Sequence, residues 1–195
     1  VLVIHENRGL NPHIKDVARR AALAGYNALA LDFLSPLGGT PANEDEARAL
    51  FSKLDAAQSV ANGRAALAYL KALPNSNGKV GTVGFCWGGA MVNQLAVQAP
   101  DLNAAVSFYG MAPDTALVPQ IKAHVQLHYA GLDERINASR EAYEAALKAA
   151  GVDFESYLYE GKQHAFHNDI NVARYDQASA ELAWKRTLDL FKRTL

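Results

Sequence analysis

The chain has 195 residues, with 19 Lys and Arg against 20 Asp and Glu, for a net charge of −1. That length suits a single domain over residues 1–195 with a substantial core. No basic run exists to neutralise a phosphate backbone, so nucleic acid is excluded as a partner. One cysteine excludes an internal disulfide and fits a reducing compartment, and no apolar run approaches the ~20 residues of a membrane span.

The chain opens on Val1-Leu2-Val3-Ile4, with neither an initiator methionine nor a signal peptide. A cytoplasmic location is expected, although an export signal upstream of Val1 would not be visible. Val1 to His5 reads as a buried strand, and the polar stretch Glu6 to Pro12 after it suits a site better than a core. Ile14, Val17, Ala18 and Ala21 recur at helical spacing, started by Asn11-Pro12 and stopped by Gly25. Asn27 to Phe33 is a second strand. Ser35 to Pro41 is a loop rich in breakers, leading to a helix from about Asn43 and another with Val60, Leu67 and Leu70 on one face.

Val80, Val83 and Phe85 suit a third strand, and Ala90 to Ala96 suits a helix. Gly84-Phe85-Cys86-Trp87-Gly88 must reverse direction between them. This is the pattern of a nucleophile elbow, G-x-S-x-G, with cysteine in place of serine. The flanking glycines let strand and helix approach closely, and the helix N-terminus favours a thiolate and a developing oxyanion. Ala104 to Tyr109 and Val125 to Tyr129 are further strands. Asn137 caps a helix bearing Tyr143, Ala146 and Leu147, Phe154 to Tyr159 is the sixth strand, and the last helix carries Trp184, Leu188, Phe191 and Leu195 toward the sheet.

Strands alternating with helices predict an α/β fold: a mainly parallel sheet of about six strands covered on both faces. Ligands in such sheets bind beyond the carboxyl ends of the strands, and Glu6, Cys86, Asp133 and His164 each follow a strand. The order Cys86, Asp133, His164 is the triad order of α/β-hydrolases. The acid holds one imidazole nitrogen, and the other takes the thiol proton. Glu134 competes with Asp133, and His167 with His164. His5, His13, His124 and His128 form no spaced set of zinc ligands, so no metal is assigned.

The sequence resembles the dienelactone hydrolase family of α/β-hydrolases over nearly its whole length. Gly84-Phe85-Cys86-Trp87-Gly88-Gly89 resembles the family's elbow, Gly131-Leu132-Asp133 its acid loop and Gln163-His164-Ala165-Phe166 its histidine motif. The resemblance favours His164 over His167. It also implies that Glu6 hydrogen-bonds the Cys86 thiol and helps to deprotonate it, with the backbone N–H groups of Trp87 and Asn7 forming the oxyanion hole.

Two departures stand out. The family places two more strands before the position of Val1, so the strand Asn27 to Phe33 becomes an exposed edge here, a route to a homodimer as an alternative to a monomer. The family's carboxylate-binding arginines fall in regions that read Leu34-Ser35-Pro36-Leu37 and Asn168, which leaves Arg8 as the substrate-binding candidate. A salt bridge between Arg8 and Glu6 is expected to weaken that role.

The function implied is hydrolysis of a small-molecule ester or lactone through a Cys86-His164-Asp133 triad and a thiol acyl-enzyme, with no cofactor. A broad small-ester carboxylesterase, a thioesterase and a catalytically silent module binding a small acid are the alternatives.

Overall fold

The computed structural model describes all 195 residues, Val1–Leu195. Six parallel strands form one sheet in the order β2-β1-β3-β4-β5-β6. They are β1 (Leu2–Ile4), β2 (Leu29–Leu31), β3 (Gly81–Phe85), β4 (Ala104–Phe108), β5 (His124–Ala130) and β6 (Phe154–Tyr159). The helices are α1 (Pro12–Leu23), α2 (Glu44–Phe51), α3 (Ala56–Ala72), α4 (Trp87–Gln98), α5 (Glu134–Asn137), α6 (Arg140–Ala149) and α7 (Gln177–Thr194).

The alternation of strand side chains divides the core in two. Leu2 and Ile4 of β1 pack with α3, α4 and α6, through Leu67, Leu95 and Leu147 among others. Val1 and Val3 face the other way, packing with α1 and α7 through Ile14, Val17, Leu190 and Phe191. A parallel sheet covered on both faces results, as α/β crossovers require.

Two local expectations need correction, and a third needs completing. The second strand spans only Leu29–Leu31, in register with the three residues of β1. Asp32 ends it by turning the chain: its carboxylate accepts from the Leu34 N–H at 3.0 Å and the Thr40 N–H at 2.8 Å. Asn137 ends α5 rather than capping the next helix, and its Nδ2 donates to the Ala130 carbonyl at 2.8 Å, which fastens the end of β5. Along α7, Phe191 lies in the core of the layer shared with α1, and Trp184, Leu188 and Leu195 pack against it half-buried, as expected; the expectation omitted Ala180, Ala183, Thr187 and Leu190, which are buried more deeply than the half-buried three.

No helix is long and apolar enough to cross a membrane.

Candidate active site

Cys86 occupies the single residue between β3 and α4, at φ 56° and ψ −113°. Only three non-glycine residues have positive φ, namely Cys86, Tyr109 and Ala165, and all three surround this site. Such conformations cost of order 1–3 kcal/mol each and persist where the surroundings over-determine them. Here the Cys86 N–H donates to the Phe108 carbonyl at 3.0 Å, while its carbonyl accepts from Ala90 in the first turn of α4. The neighbouring positions have no room for a side chain. A Cβ at Gly84 would lie 2.2 Å from the Gly88 carbonyl oxygen, and one at Gly88 would lie 2.5 Å from that of Ile4.

Beyond the carboxyl ends of the strands lies a cleft of about 600 Å³ lined by Cys86, His164, Glu6, Asn7 and Arg8. His164 Nδ1 hydrogen-bonds Asp133 Oδ2 in the loop after β5, leaving the other ring nitrogen free of Asp133. Burial disfavours the charged ring, yet the Asp133 carboxylate and then the Cys86 thiol outweigh it and raise His164 to about 9. Burial raises Asp133, and the His164 hydrogen bond overrides it and lowers the carboxyl below its usual range. Glu134, the competing acid, is exposed in the first turn of α5.

His167 lies elsewhere. Its ring is buried without a hydrogen-bond partner and stacks on Phe85 at 5.0 Å, and burial, then the charges of His13 and Arg20, lower it to about 3.

Glu6 is buried at 6% exposure, with Oε2 accepting from Asn168 Nδ2 at 2.8 Å and Oε1 unpartnered. Burial raises its pKa against the opposing charge of His13, the Asn168 hydrogen bond and the charge of His164. The Asn7 N–H donates to no protein acceptor. Trp87 opens α4, where an N–H has no acceptor within the helix.

Arg8 does not pair with Glu6. Its guanidinium reaches Asp45 Oδ1 at 3.2 Å and the Glu44 carbonyl at 3.3 Å, because the turn after β1 directs it toward α2. Nor is it the only cation at the cleft, since Arg48, Arg135 and Arg174 also line it. These three are exposed, and none forms a salt bridge. They come from three distant parts of the chain, so no sequence motif announces them.

Two further residues escaped the sequence reading. His5 is fully buried: its Nε2 accepts from the Phe33 N–H at 3.0 Å, which leaves Nδ1 to donate to the Glu6 carbonyl at 2.8 Å. Tyr109 is also fully buried, its ring 4.8 Å from that of His164. Burial, with Glu6 and Cys86 adding to it, pushes its hydroxyl far above the usual range.

No group of three or more His, Cys, Asp or Glu side chains is placed to hold a metal ion.

The family model for the dienelactone hydrolase family matches residues 1–195. The chain belongs to the dienelactone hydrolase family. A protein of Methylorubrum extorquens provisionally named carboxymethylenebutenolidase is 33% identical over 98% of this chain and 71% of its own length. "Protein usf" of Aquifex pyrophilus is 34% identical over the whole of this chain and 88% of its own length. A crystal structure from Klebsiella pneumoniae, provisionally described as a dienelactone hydrolase, superposes with a TM-score of 0.88 at 29% identity, over 98% of this chain and 85% of that one. A dienelactone hydrolase-like promiscuous phosphotriesterase from metagenomic libraries superposes at 0.84 with 26% identity, over 99% and 85%.

Proposed function

We propose that this dienelactone hydrolase-like chain hydrolyses small esters or lactones through a thiol acyl-enzyme, with Cys86 as nucleophile. The observation that carries the reading is the shared cleft. The strained Cys86 and the His164 ring line the same cavity, and His164 is held from behind by Asp133.

Each step has a named group. Glu6 accepts the thiol proton as substrate enters and so releases the thiolate. The Cys86 sulfur attacks the carbonyl carbon, and the N–H groups of Trp87 and Asn7 receive the oxyanion. Collapse expels the alkoxide, which takes a proton from His164, and leaves a thioester on Cys86. Water then loses a proton to His164 as it attacks that thioester, the acid product departs leaving the Cys86 thiolate, and Glu6 returns its proton to the sulfur to restore the thiol. Asp133 holds the imidazole in the tautomer this exchange needs and stabilises the imidazolium.

Three unpaired guanidiniums at the cleft support a substrate with a negative charge, such as the carboxylate-bearing lactone in the name carboxymethylenebutenolidase. On this reading a substrate carboxylate would meet Arg48, Arg135 and Arg174 as well as Arg8 at the cleft.

The reading is tested by titrating the protein with iodoacetamide while following hydrolysis of aryl esters, lactones and thioesters. One equivalent at Cys86 is expected to abolish every hydrolytic activity, and Cys86→Ala to do the same with the fold intact. Turnover by Cys86→Ala at a tenth of the wild-type rate or more would refute the acyl-enzyme. Binding of small acids without any turnover by the wild-type protein would instead favour the silent module.

A further inference from the structure

One loop at the cleft carries apolar side chains that the mechanism above does not use. It runs from Asn168 to Asp176, between β6 and α7, and it is closed on the turn that follows His164. The Asn168 N–H donates to the Ala165 carbonyl and the Asp176 N–H to the Phe166 carbonyl, each at 3.0 Å. Compact loops whose ends meet in this way are frequently functional. Further bonds hold this one in place. Asn168 Nδ2 donates to Glu6 at 2.8 Å, and its Oδ1 accepts from the Ile170 N–H at 3.2 Å. The Asp169 carboxylate holds His13 Nδ1 at 2.8 Å and the Arg20 guanidinium, and Lys162 Nζ donates to Asp176 at 2.7 Å. Inside the loop the Arg174 and Tyr175 N–H groups both donate to the Asn171 carbonyl at 2.9 Å.

The backbone is thus fastened, yet two large apolar side chains are left in the open. Ile170 is 51% exposed and Val172 86%, and both line the cleft with Cys86 and His164. Single apolar residues on a protein surface are ordinary. These two are set apart by where they stand. Besides Cys86 and Ala165 they are the only apolar residues in a lining otherwise made of Arg, Asn, Glu and His. At about 600 Å³ the cleft also has room for a drug-sized ligand, far more than a reacting carbonyl group fills.

The mechanism decides which part of the substrate lies there. The oxyanion goes to the amides of Asn7 and Trp87, in the loop after β1 and at the elbow, whereas the departing oxygen must reach the His164 ring to be protonated. The alcohol portion therefore extends along the segment that carries His164. The loop rooted on Ala165 and Phe166 comes next along that segment. We propose that Ile170 and Val172 form a subsite for the apolar alcohol portion of an ester, so that esters of alkyl or aryl alcohols are the preferred substrates. The inference rests on the roles given above to Cys86 and His164.

The test compares two ester series in wild type, Ile170→Ser/Val172→Ser and Cys86→Ala. In one series the acid is acetate and the alcohol runs from methyl to butyl; in the other the alcohol is methyl and the acid runs from acetate to pentanoate. The simple alcohols differ little in acidity, so their intrinsic reactivity as leaving groups is nearly constant. Wild-type kcat/KM is expected to rise by about tenfold or more from methyl to butyl acetate, since each methylene removed from water is worth up to about fourfold. Ile170→Ser/Val172→Ser is expected to bring that ratio near one, mostly through KM, while the acyl series keeps its wild-type slope. Val172→Thr, which keeps the outline of the side chain, should lower the ratio severalfold and serves if the double variant folds poorly.

A methyl-to-butyl ratio near one in wild type overturns the subsite, and so does a steep ratio that the double variant leaves unchanged. Flattening of the acyl series in place of the alcohol series would set the acid portion against the loop and overturns it as well. In each of these cases the acyl-enzyme reading stands if Cys86→Ala hydrolyses neither series. Turnover by Cys86→Ala at a tenth of the wild-type rate or more, or no turnover of either series by wild type, brings down that reading and the inference with it.

Discussion

The imidazole of His5 lies against the indole of Trp87, with centroids 5.7 Å apart and planes 16° apart. His5 immediately precedes Glu6, and Trp87 immediately follows Cys86. The stack therefore ties the loop after β1 to the elbow after β3, and with them the two amides proposed to receive the oxyanion. Burial lowers the pKa of His5, so it is a neutral ring that joins the Phe33 N–H to the Glu6 carbonyl.

His5→Leu keeps much of the volume and removes both hydrogen bonds. Leaving the buried Phe33 N–H unpaired should cost about 1–3 kcal/mol in urea unfolding. Turnover should fall as well, by about tenfold or more, because a small displacement of the Asn7 amide weakens its contact with the oxyanion. Full activity in a destabilised protein would show that His5 supports the fold without positioning the site.

The two histidines of the loop after β6 should separate by observable. His164→Ala is expected to lower kcat by about 10³-fold or more, the usual loss when a triad member is removed. His167→Ala should spare turnover and act on stability. It empties a packed site against Phe85, Phe108 and Trp184, so it should cost about 2–4 kcal/mol of stability while the folded enzyme keeps most of its turnover. Reversal of the two kinetic effects would assign the base to His167.

How much of this was legible in the sequence follows the distinction between local and non-local information. The elbow is local, because the glycines at 84 and 88 and the β-to-helix switch lie within a few residues of Cys86. The period-two pattern of Val1 to Ile4 likewise reports which side chain faces which layer. Chain order placed Glu6, Asp133 and His164 after strands, and parallel topology brings those ends to one edge. The partners of Arg8, Asn168 and His13 could not be read in this way. Asp45 lies 37 residues from Arg8, Glu6 lies 162 from Asn168, and Asp169 lies 156 from His13. Such pairs are set by how turns aim side chains once the sheet has formed. The same holds for Arg48, Arg135 and Arg174, which are unremarkable surface residues until the fold gathers them at one rim.

That rim predicts charge selectivity. Steering by unpaired guanidiniums should give an aryl hemisuccinate a higher kcat/KM than the aryl acetate, by about tenfold at low salt, and the ratio should shrink as ionic strength rises. Arg135→Ala and Arg174→Ala should each lower the ratio severalfold without changing turnover of the neutral ester, whereas Arg8→Ala should matter less because Asp45 already engages it. A ratio near one, unmoved by these variants, would mean that the arginines do not meet the substrate.

The last prediction concerns stability against pH and follows from the His164–Asp133 pair. The folded protein holds the His164 proton up to about 9, against an ordinary value of 6.5. Below 6.5 both folded and unfolded chains carry that proton, so the contribution is fully present. Between 6.5 and about 9 only the folded chain carries it, and stability falls as pH rises, by at most about 1.4 kcal/mol per pH unit for one proton. Above about 9 the contribution is gone. Asp133 acts in the opposite sense: its carboxyl is lowered below the ordinary 3.8, so its contribution is present above that value and is lost as pH falls through the folded pKa. The pair should therefore stabilise most between about pH 4 and 6.5. Other groups titrate in the same range, notably the N-terminal amine, which burial lowers to about 6. The measurement is accordingly the difference in urea-unfolding free energy between wild type and His164→Gln across pH 4 to 10. A difference that declines from pH 6.5 to 9 is expected, and a flat difference over that interval would show that His164 is not held as an imidazolium by Asp133.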